Sequence, residues 1–224
     1  MHEDDLVVVL GAGPRLGGAV ATAFARRHAG VVVLARDGGR VTALAGKIAT
    51  QTGAAVHGMS ADATDDTALR QAFDEIRRRY GEPTVLIHNP SVAVEAPPTQ
   101  TPYGSLIDGL RLSVGSLLVA AQEVAPAMRL AGRGTIIVTG GGSALTGSTW
   151  SAALGVQKAA VRNLALSLAA ELRSDNVHVV TVTIDGTLGT AGFDADRIAA
   201  EYVRLHELTD GPRGTWASEI VWRG

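Results

Sequence analysis

The sequence predicts one doubly wound α/β domain, with about seven parallel strands in a central sheet and helices on both of its faces. Two observations predict this fold class. Short β-branched runs alternate with helical stretches of ten residues or more, which is the pattern of successive βαβ units. The first runs, at residues 6–10 and 31–34, are apolar throughout, as expected of strands buried on both faces. Because no linker, repeat or low-complexity tract divides residues 1–224, we expect a single domain.

The strands are placed by their β-branched and apolar composition. They are expected at residues 6–10, 31–34, 54–59, 85–87, 135–138, 177–184 and 218–222. The helices are placed by the Ala-rich or amphipathic stretches between them. They are expected at residues 16–27, 41–50, 65–80, 105–130, 151–172 and 194–207. The third helix has the clearest ends, since two aspartates open it and three arginines close it, which suits the helix dipole.

Composition excludes several classes of function. With 46% hydrophobic and 19% charged residues, the chain can bury a full core. A net charge of -2 gives no reason to expect nucleic acid or an anionic membrane as a partner, and the absence of cysteine excludes thiolate metal sites. The six histidines show no metal-ligand spacing, so we expect no metal. An acidic start and the lack of an 18-residue apolar run predict a cytoplasmic protein.

The turn after the first strand is rich in glycine. It reads Gly11-Ala12-Gly13-Pro14-Arg15-Leu16-Gly17-Gly18 and opens the first helix. Free N–H groups and the dipole at a helix start attract a pyrophosphate, and glycines let it approach the backbone. The turn therefore predicts a dinucleotide site, although a tight turn without a ligand would have the same composition.

The loop after the second strand is expected to meet the adenosine ribose. It reads Ala35-Arg36-Asp37. An arginine accepts the 2′-phosphate of NADP and an acidic side chain holds the 2′-hydroxyl of NAD. Arg36, followed by Arg40, favours NADP(H) over NAD(H), whereas Asp37 leaves NAD(H) possible. Both arginines could also be ordinary solvated side chains.

Five later segments extend this pattern along the chain. They are Asp62 within 61–64, His88-Asn89-Pro90-Ser91, residues 134–143, Lys158 and residues 185–190. Together with the glycine turn they resemble, in order, the TGxxxGxG, adenine-aspartate, NNAG, serine-strand, YxxxK and PGxxxT motifs. The sequence thus resembles the short-chain dehydrogenase/reductase superfamily nearly from end to end.

The resemblance implies a single Rossmann-type domain that binds NAD(P). It assigns cofactor contacts to the phosphate turn, to the adenine aspartate and its neighbour, to the strand-four asparagine, to the lysine and to the last motif. These residues are Gly11, Gly13, Arg15, Leu16, Gly17, Asp62, Ala63, Asn89, Lys158, Gly186 and Thr190. It also implies a homodimer or homotetramer packed through the helix at 151–172.

The departures from the family pattern fall on its catalytic residues. Leu154 stands at the tyrosine of YxxxK, Gly141 at the catalytic serine and Ser113 at the helix asparagine, and Arg15 replaces the second turn glycine. Of the usual catalytic set only Lys158 remains. A positioned acid or base contributes about 10²–10⁴ in rate, so conventional carbonyl reduction is expected to be slow.

Possible replacements lie nearby in the sequence. His88 and Asp185 are the leading candidates, because both follow strands at the edge where open α/β sheets bind ligands. Ser143 and Ser113 are further candidates. The loop after Ser143 also carries Thr146, Ser148, Thr149 and Ser151. Each has a structural alternative: a helix cap for the hydroxyls, a buried imidazole for His88 and a turn cap for Asp185.

Three functions are compatible with these residues. The first is a divergent NADP(H)-dependent oxidoreductase acting on a small carbonyl or alcohol. The second is a cofactor-binding pseudoenzyme that acts as a sensor or partner subunit. The third is a non-redox lyase or isomerase that uses His88 or Asp185. The short stretch between Thr190 and Asp194 predicts an open substrate site, or one completed by residues 212–216.

Overall fold

A computed structural model describes residues 5–27, 29–210 and 216–224 of the chain. The described residues form a seven-stranded parallel sheet covered by helices on both faces, which confirms the predicted fold class. The strands are β1 (Leu6–Leu10), β2 (Gly30–Ala35), β3 (Val56–Ser60), β4 (Val85–His88), β5 (Gly134–Thr139), β6 (Val177–Ile184) and β7 (Glu219–Trp222). Their order is β3-β2-β1-β4-β5-β6-β7, so the chain reverses direction across the sheet between β1 and β4.

The helices differ from their expected positions mainly at their ends. They are α1 (Leu16–Ala25), α2 (Gly38–Thr52), α3 (Asp66–Tyr80), α4 (Tyr103–Leu110), α5 (Ser116–Ala131), α6 (Ala152–Leu172) and α7 (Ala195–Glu207). The start of α2 was predicted three residues too late. It begins at Gly38 because Asp37 caps it, accepting a hydrogen bond from the Arg40 N–H at 3.0 Å.

The single helix predicted at 105–130 is wrong in detail, because one π-helical turn at Arg111–Gly115 separates α4 from α5. By length and composition alone, Tyr103–Ala131 is apolar enough to cross a membrane. In the fold, α5 buries Leu117, Val124 and Met128 in the core beneath the sheet, which is the position of an apolar core helix.

Two apolar layers cover the sheet, one on each face. Alternate residues of each strand supply the layers, so that Val8 and Leu86 pack beneath α3, α5 and α6. Val9 and Ile87 pack on the opposite face against α1, α2 and α7. This burial on both faces explains the continuous apolar runs in the sequence.

The turn after β1 is fastened to both neighbouring strands. The N–H groups of Gly11 and Ala12 both donate to the Leu34 carbonyl on β2 at 3.0 Å. The side-chain amide of Asn89, just after β4, donates to the Gly11 carbonyl at 2.9 Å. Gly11 has a φ of +82°, and a Cβ there would lie 2.7 Å from the Pro90 nitrogen. This position therefore requires glycine for both conformation and space.

We expect Gly11→Ala to destabilise the fold by about 2–4 kcal/mol, because a Cβ adds left-handed backbone strain to a clash with fixed backbone. Gly13→Ala is the matched control, since no atom lies within 4 Å of a Cβ placed there. Urea unfolding of both variants measures the difference. Equal losses at the two positions would contradict this account of the turn.

Candidate cofactor and active site

The candidate site lies at the carboxyl edge of the sheet, where the chain reverses direction between β1 and β4. The glycine turn follows β1, Asn89 follows β4, Gly141 follows β5 and Asp185 follows β6. Parallel strands bring these four positions to one crevice, which is where open α/β sheets bind their ligands.

The phosphate end of this crevice has free hydrogen-bond donors. Among the described residues no side chain caps the start of α1, and its first turn holds no acidic residue. The Gly18 N–H donates to the Gly13 carbonyl at 2.7 Å. The earlier N–H groups, those of Leu16 and Gly17, and the helix dipole are what this helix start offers to an anion. Gly13 opens onto space, whereas a Cβ at Gly17 would lie 2.9 Å from the Ala12 Cα. Gly17 and the buried Leu16 therefore belong to the packing of the turn, and Gly13 leaves room for a ligand.

Arg15 projects from this turn across the crevice. Its side chain is exposed, and Nη2 donates to the Leu188 carbonyl at 3.0 Å. Leu188 belongs to the segment after β6, so the guanidinium joins the two rims of the crevice. The sequence could not indicate this contact, because the two residues are 173 positions apart.

The loop after β2 holds the two residues expected to meet the ribose, Arg36 and Asp37, and their contacts differ. Both carboxylate oxygens of Asp37 are engaged with Arg40, one by the N-cap hydrogen bond and the other at 3.3 Å from Nε. Arg36 is exposed, and its own carbonyl is held by the Ser60 hydroxyl at 2.8 Å. Both side chains are therefore exposed, but the Asp37 carboxylate already holds Arg40, whereas the Arg36 guanidinium extends into solvent.

Asp62 and Ala63 follow β3 beside this loop. Hydrogen bonds from the Thr64 N–H at 2.9 Å and hydroxyl at 2.8 Å lower the pKa of Asp62, and the charge of Arg36 lowers it further. Asp62 is accordingly an anion held in a fixed direction, as recognition of an amino group requires. Ala63 packs half-buried against the core.

Lys158 is buried next to Gly141, at the carboxyl end of β5. Its Nζ donates to the Thr139 carbonyl at the end of β5 at 2.9 Å, and only 6% of the residue is exposed. Burial lowers the pKa of Lys158 to about 8. Its methylene chain lies along Gly141, where an added Cβ would be 3.5–3.6 Å from the lysine carbons. The half-buried Leu154 precedes it by one turn of α6, on the same face.

The structure places two candidate catalytic side chains inside the protein. His88 is 1% exposed, and its Nε2 lies 2.8 Å from the Ser116 hydroxyl of α5. Burial, and secondarily the charge of Lys158, lower the pKa of His88 to about 3, so its imidazole is neutral. Ser113 is fully buried in the π-helical turn and donates to the Gly109 carbonyl at 2.6 Å. His88 thus has the role of a buried imidazole that the sequence left as its alternative, whereas Ser113 is hydrogen-bonded within its own helical segment.

Asp185 and Ser143 instead lie at the mouth of the crevice. The Asp185 carboxylate covers Gly142, and its other oxygen is 3.6 Å from Arg223 Nε. Its side chain is 41% exposed. Ser143 is half-buried in the turn Gly142–Ala144. Of the candidate acids and hydroxyls in the described chain, these two are placed to meet a substrate.

The segment after β6, residues 185–193, folds into a small lid. Its packing was not predicted from the sequence. The ring of Phe193 covers Gly186, and a Cβ placed there would lie 2.1 Å from it, so a larger residue would have to displace the ring. The Thr190 hydroxyl donates to the Thr187 carbonyl at 2.8 Å, which closes the loop on itself. Trp222 of β7 donates its indole N–H to the Gly192 carbonyl at 3.0 Å. The only sequence signal for this packing was the glycines themselves.

The expectation that residues 212–216 complete the site is not supported. Residues 212–215 lie outside the described residues. Trp216 packs on His178, with ring centroids 5.1 Å apart, near the amino end of β6. It therefore lies at the opposite edge of the sheet from the crevice.

The fold and the crevice define a dinucleotide-binding α/β protein. The chain belongs to the short-chain dehydrogenase/reductase family: the family profile described as short chain dehydrogenase matches residues 5–197. A probable galactose dehydrogenase of Rhizobium meliloti is 33% identical over 177 residues, which cover 77% of this chain and 68% of that protein. The inactive 2-(S)-hydroxypropyl-CoM dehydrogenase 2 of Xanthobacter autotrophicus is 30% identical over 207 residues, covering 88% and 86%.

Solved structures agree with this membership. A short-chain dehydrogenase from Rhodopseudomonas palustris superimposes with a TM-score of 0.87 at 25% identity, covering 99% of both chains. One from Sphingobium yanoikuyae, in complex with NADPH, gives 0.81 at 25% identity and covers 97% of this chain and 86% of its own. The resemblance that the motifs predicted is thus confirmed, and the family binds NAD(P).

Burial of a neutral His88 has a consequence for acid stability. Between about pH 6.5 and 3 the unfolded chain binds a proton that folded His88 does not, so stability is lost as pH falls through this window. We expect the free energy of unfolding to fall by about 1.4 kcal/mol per pH unit from this group alone. His88→Gln, whose amide reaches the position of Nε2 and can still meet Ser116, is expected to remove that part of the slope. Urea unfolding at pH 7.5 and 5 tests it, with His57→Gln as control. An equal loss of stability between these two pH values in the wild type and in His88→Gln would contradict it.

Proposed function

We propose that this chain is an NADP(H)-dependent oxidoreductase that interconverts a small carbonyl compound and an alcohol. The observation that carries the proposal is the placement of Lys158. A buried ammonium at the end of β5 faces the same crevice as an uncapped helix start and an open glycine. A cation at that position fits the hydroxyls of the nicotinamide ribose, while the turn fits the pyrophosphate.

The preference for NADP(H) rests on the loop after β2. Asp37 is committed to capping α2, which leaves it poorly placed to accept a ribose hydroxyl. The exposed Arg36 supplies a guanidinium that matches the 2′-phosphate in charge and geometry. Asp62 fits the adenine amino group beside it.

The source of the proton is the unusual part of this chemistry. NADPH supplies a hydride when bound, and the reduced oxygen then needs a proton. Leu154 and Gly141 supply neither an acid nor a hydrogen bond, and His88 and Ser113 are buried. Water entering the crevice would supply the proton, relayed by Asp185 or Ser143, and turnover is expected to be slow.

A cofactor-binding protein without turnover is the second candidate. It is favoured by the missing hydroxyls at positions 141 and 154. It is also favoured by the similarity to a relative that is itself named inactive. A non-redox reaction would depend on Asp185, since His88 is inaccessible in the described structure.

We further propose a cytoplasmic homodimer or homotetramer that acts on a small molecule. Apolar side chains remain exposed on α5 and α6, including Leu118 at 43%, Leu130 at 92% and Val156 at 48%. These helices lie on one side of the sheet, so a second copy of the chain could cover them together.

We expect titration calorimetry of the purified protein to show micromolar NADPH binding and much weaker NADH binding. Arg36→Ala should lower the NADPH affinity by about tenfold to a hundredfold, the contribution of hydrogen bonds to a charged group, and leave NADH unchanged. Arg78→Ala on α3 is the control for loss of an exposed arginine. Binding of neither nucleotide by the wild type would overturn the proposal.

Restoring the two hydroxyls tests whether the site is an eroded reductase. A serine at position 141 fits, because its Cβ would make ordinary contacts with Lys158. We expect Gly141→Ser with Leu154→Tyr to raise carbonyl reduction by about 10²-fold or more. Gly141→Ser with Leu154→Phe has the same bulk without the acid and should stay at the wild-type rate. NADPH oxidation against a carbonyl panel measures both. A double variant that binds NADPH and gains nothing would exclude simple erosion.

A further inference from the structure

Arg15 occupies a position that does not require glycine in this chain. Its φ of -88° is negative, so the backbone there does not adopt the left-handed conformation that favours glycine. The guanidinium extends away from the helix and reaches the Leu188 carbonyl, 3.0 Å away, on the opposite rim. The two rims that it joins are the phosphate turn and the lid.

Arg15 forms no ion pair in the described part of the chain, although Asp194 and Asp196 line the same cavity. Its one hydrogen bond there goes to a carbonyl, and α1 has no acidic residue in its first turn. The helix dipole adds about half a positive charge at the same place. Two positive features are therefore adjacent, and an anion seated between them would be favoured by both.

Arg15 can hold an anion without releasing Leu188. A guanidinium has five N–H donors in a planar fork, and the bond to Leu188 uses only one of them. Gly13, next to it in the turn, opens onto space that a ligand can fill. The remaining donors match two phosphoryl oxygens side by side, which is the geometry in which arginine binds phosphate best.

We propose that Arg15 is a strap over the bound cofactor. Its guanidinium pairs with the pyrophosphate of NADP(H) and keeps its hydrogen bond to Leu188, so that the phosphate turn and the lid are held together across the dinucleotide. This inference rests on the proposed cofactor binding. On this proposal, Arg15 adds to the affinity for NADP(H) that the backbone N–H groups of the turn provide.

The test compares Arg15→Gln, Arg15→Gly and Arg15→Lys with two ligands. NADP⁺ contains the pyrophosphate, whereas adenosine 2′-monophosphate keeps the adenine, ribose and 2′-phosphate but lacks it. We expect R15Q and R15G to weaken NADP⁺ binding by about tenfold to a hundredfold, as for a lost charged hydrogen bond. R15K should lose less, since it keeps the charge without the fork. The affinity for adenosine 2′-monophosphate should not change.

Calorimetry gives the NADP⁺ affinities, and displacement of NADPH fluorescence gives those of the weaker ligand. Unchanged or tighter NADP⁺ binding by R15Q would overturn the strap and show that the guanidinium obstructs the site. An equal loss for both ligands would also overturn it, because Arg15 would then only shape the turn. Thermal unfolding checks each apo variant, and R15Q decides if R15G does not fold. Wild-type protein that binds neither ligand would instead refute the proposed function.

Discussion

The crevice depends on the way the first turn is tied to its two neighbours. Gly11 and Ala12 donate to β2 through Leu34, and Asn89 donates from the end of β4 back to the Gly11 carbonyl. These bonds hold the turn at the point where the sheet reverses direction. Every later feature of the site is positioned against it: the start of α1, the side chain of Arg15 and the gap above Gly13.

This member of the family keeps positively charged residues at the candidate site but lacks the usual proton donor. The charged groups that the proposal assigns to the cofactor are present, since Arg36 and Arg15 are exposed and Lys158 is buried next to Gly141. The groups that pass a proton are absent at positions 141 and 154. Both replacements fit their surroundings, because Gly141 lies against methylenes of Lys158 and Leu154 is half-buried. The site thus keeps the electrostatics of a dinucleotide pocket without its usual acid.

The sheet was predictable from the sequence because burial on both faces leaves continuous apolar runs such as 6–10. The π-helical turn at Arg111–Gly115 was not, since its residues suit an ordinary helix equally well and only the hydroxyl of Ser113 marks it. The motifs identified the family and gave the candidate cofactor residues in order along the chain. They could not distinguish a buried His88 from an accessible Asp185, because both follow strands. Contacts between distant residues, such as Arg15 with Leu188 or Phe193 with Gly186, leave no local pattern.

The bond between Trp222 and Gly192 has a consequence for selectivity. Many enzymes discriminate between substrates by closing a mobile segment only over the correct one. Here the segment after β6 is anchored to the last strand and folded on itself through Thr190. In such a site the walls are in place before a ligand arrives, so that binding need not pay for ordering this segment.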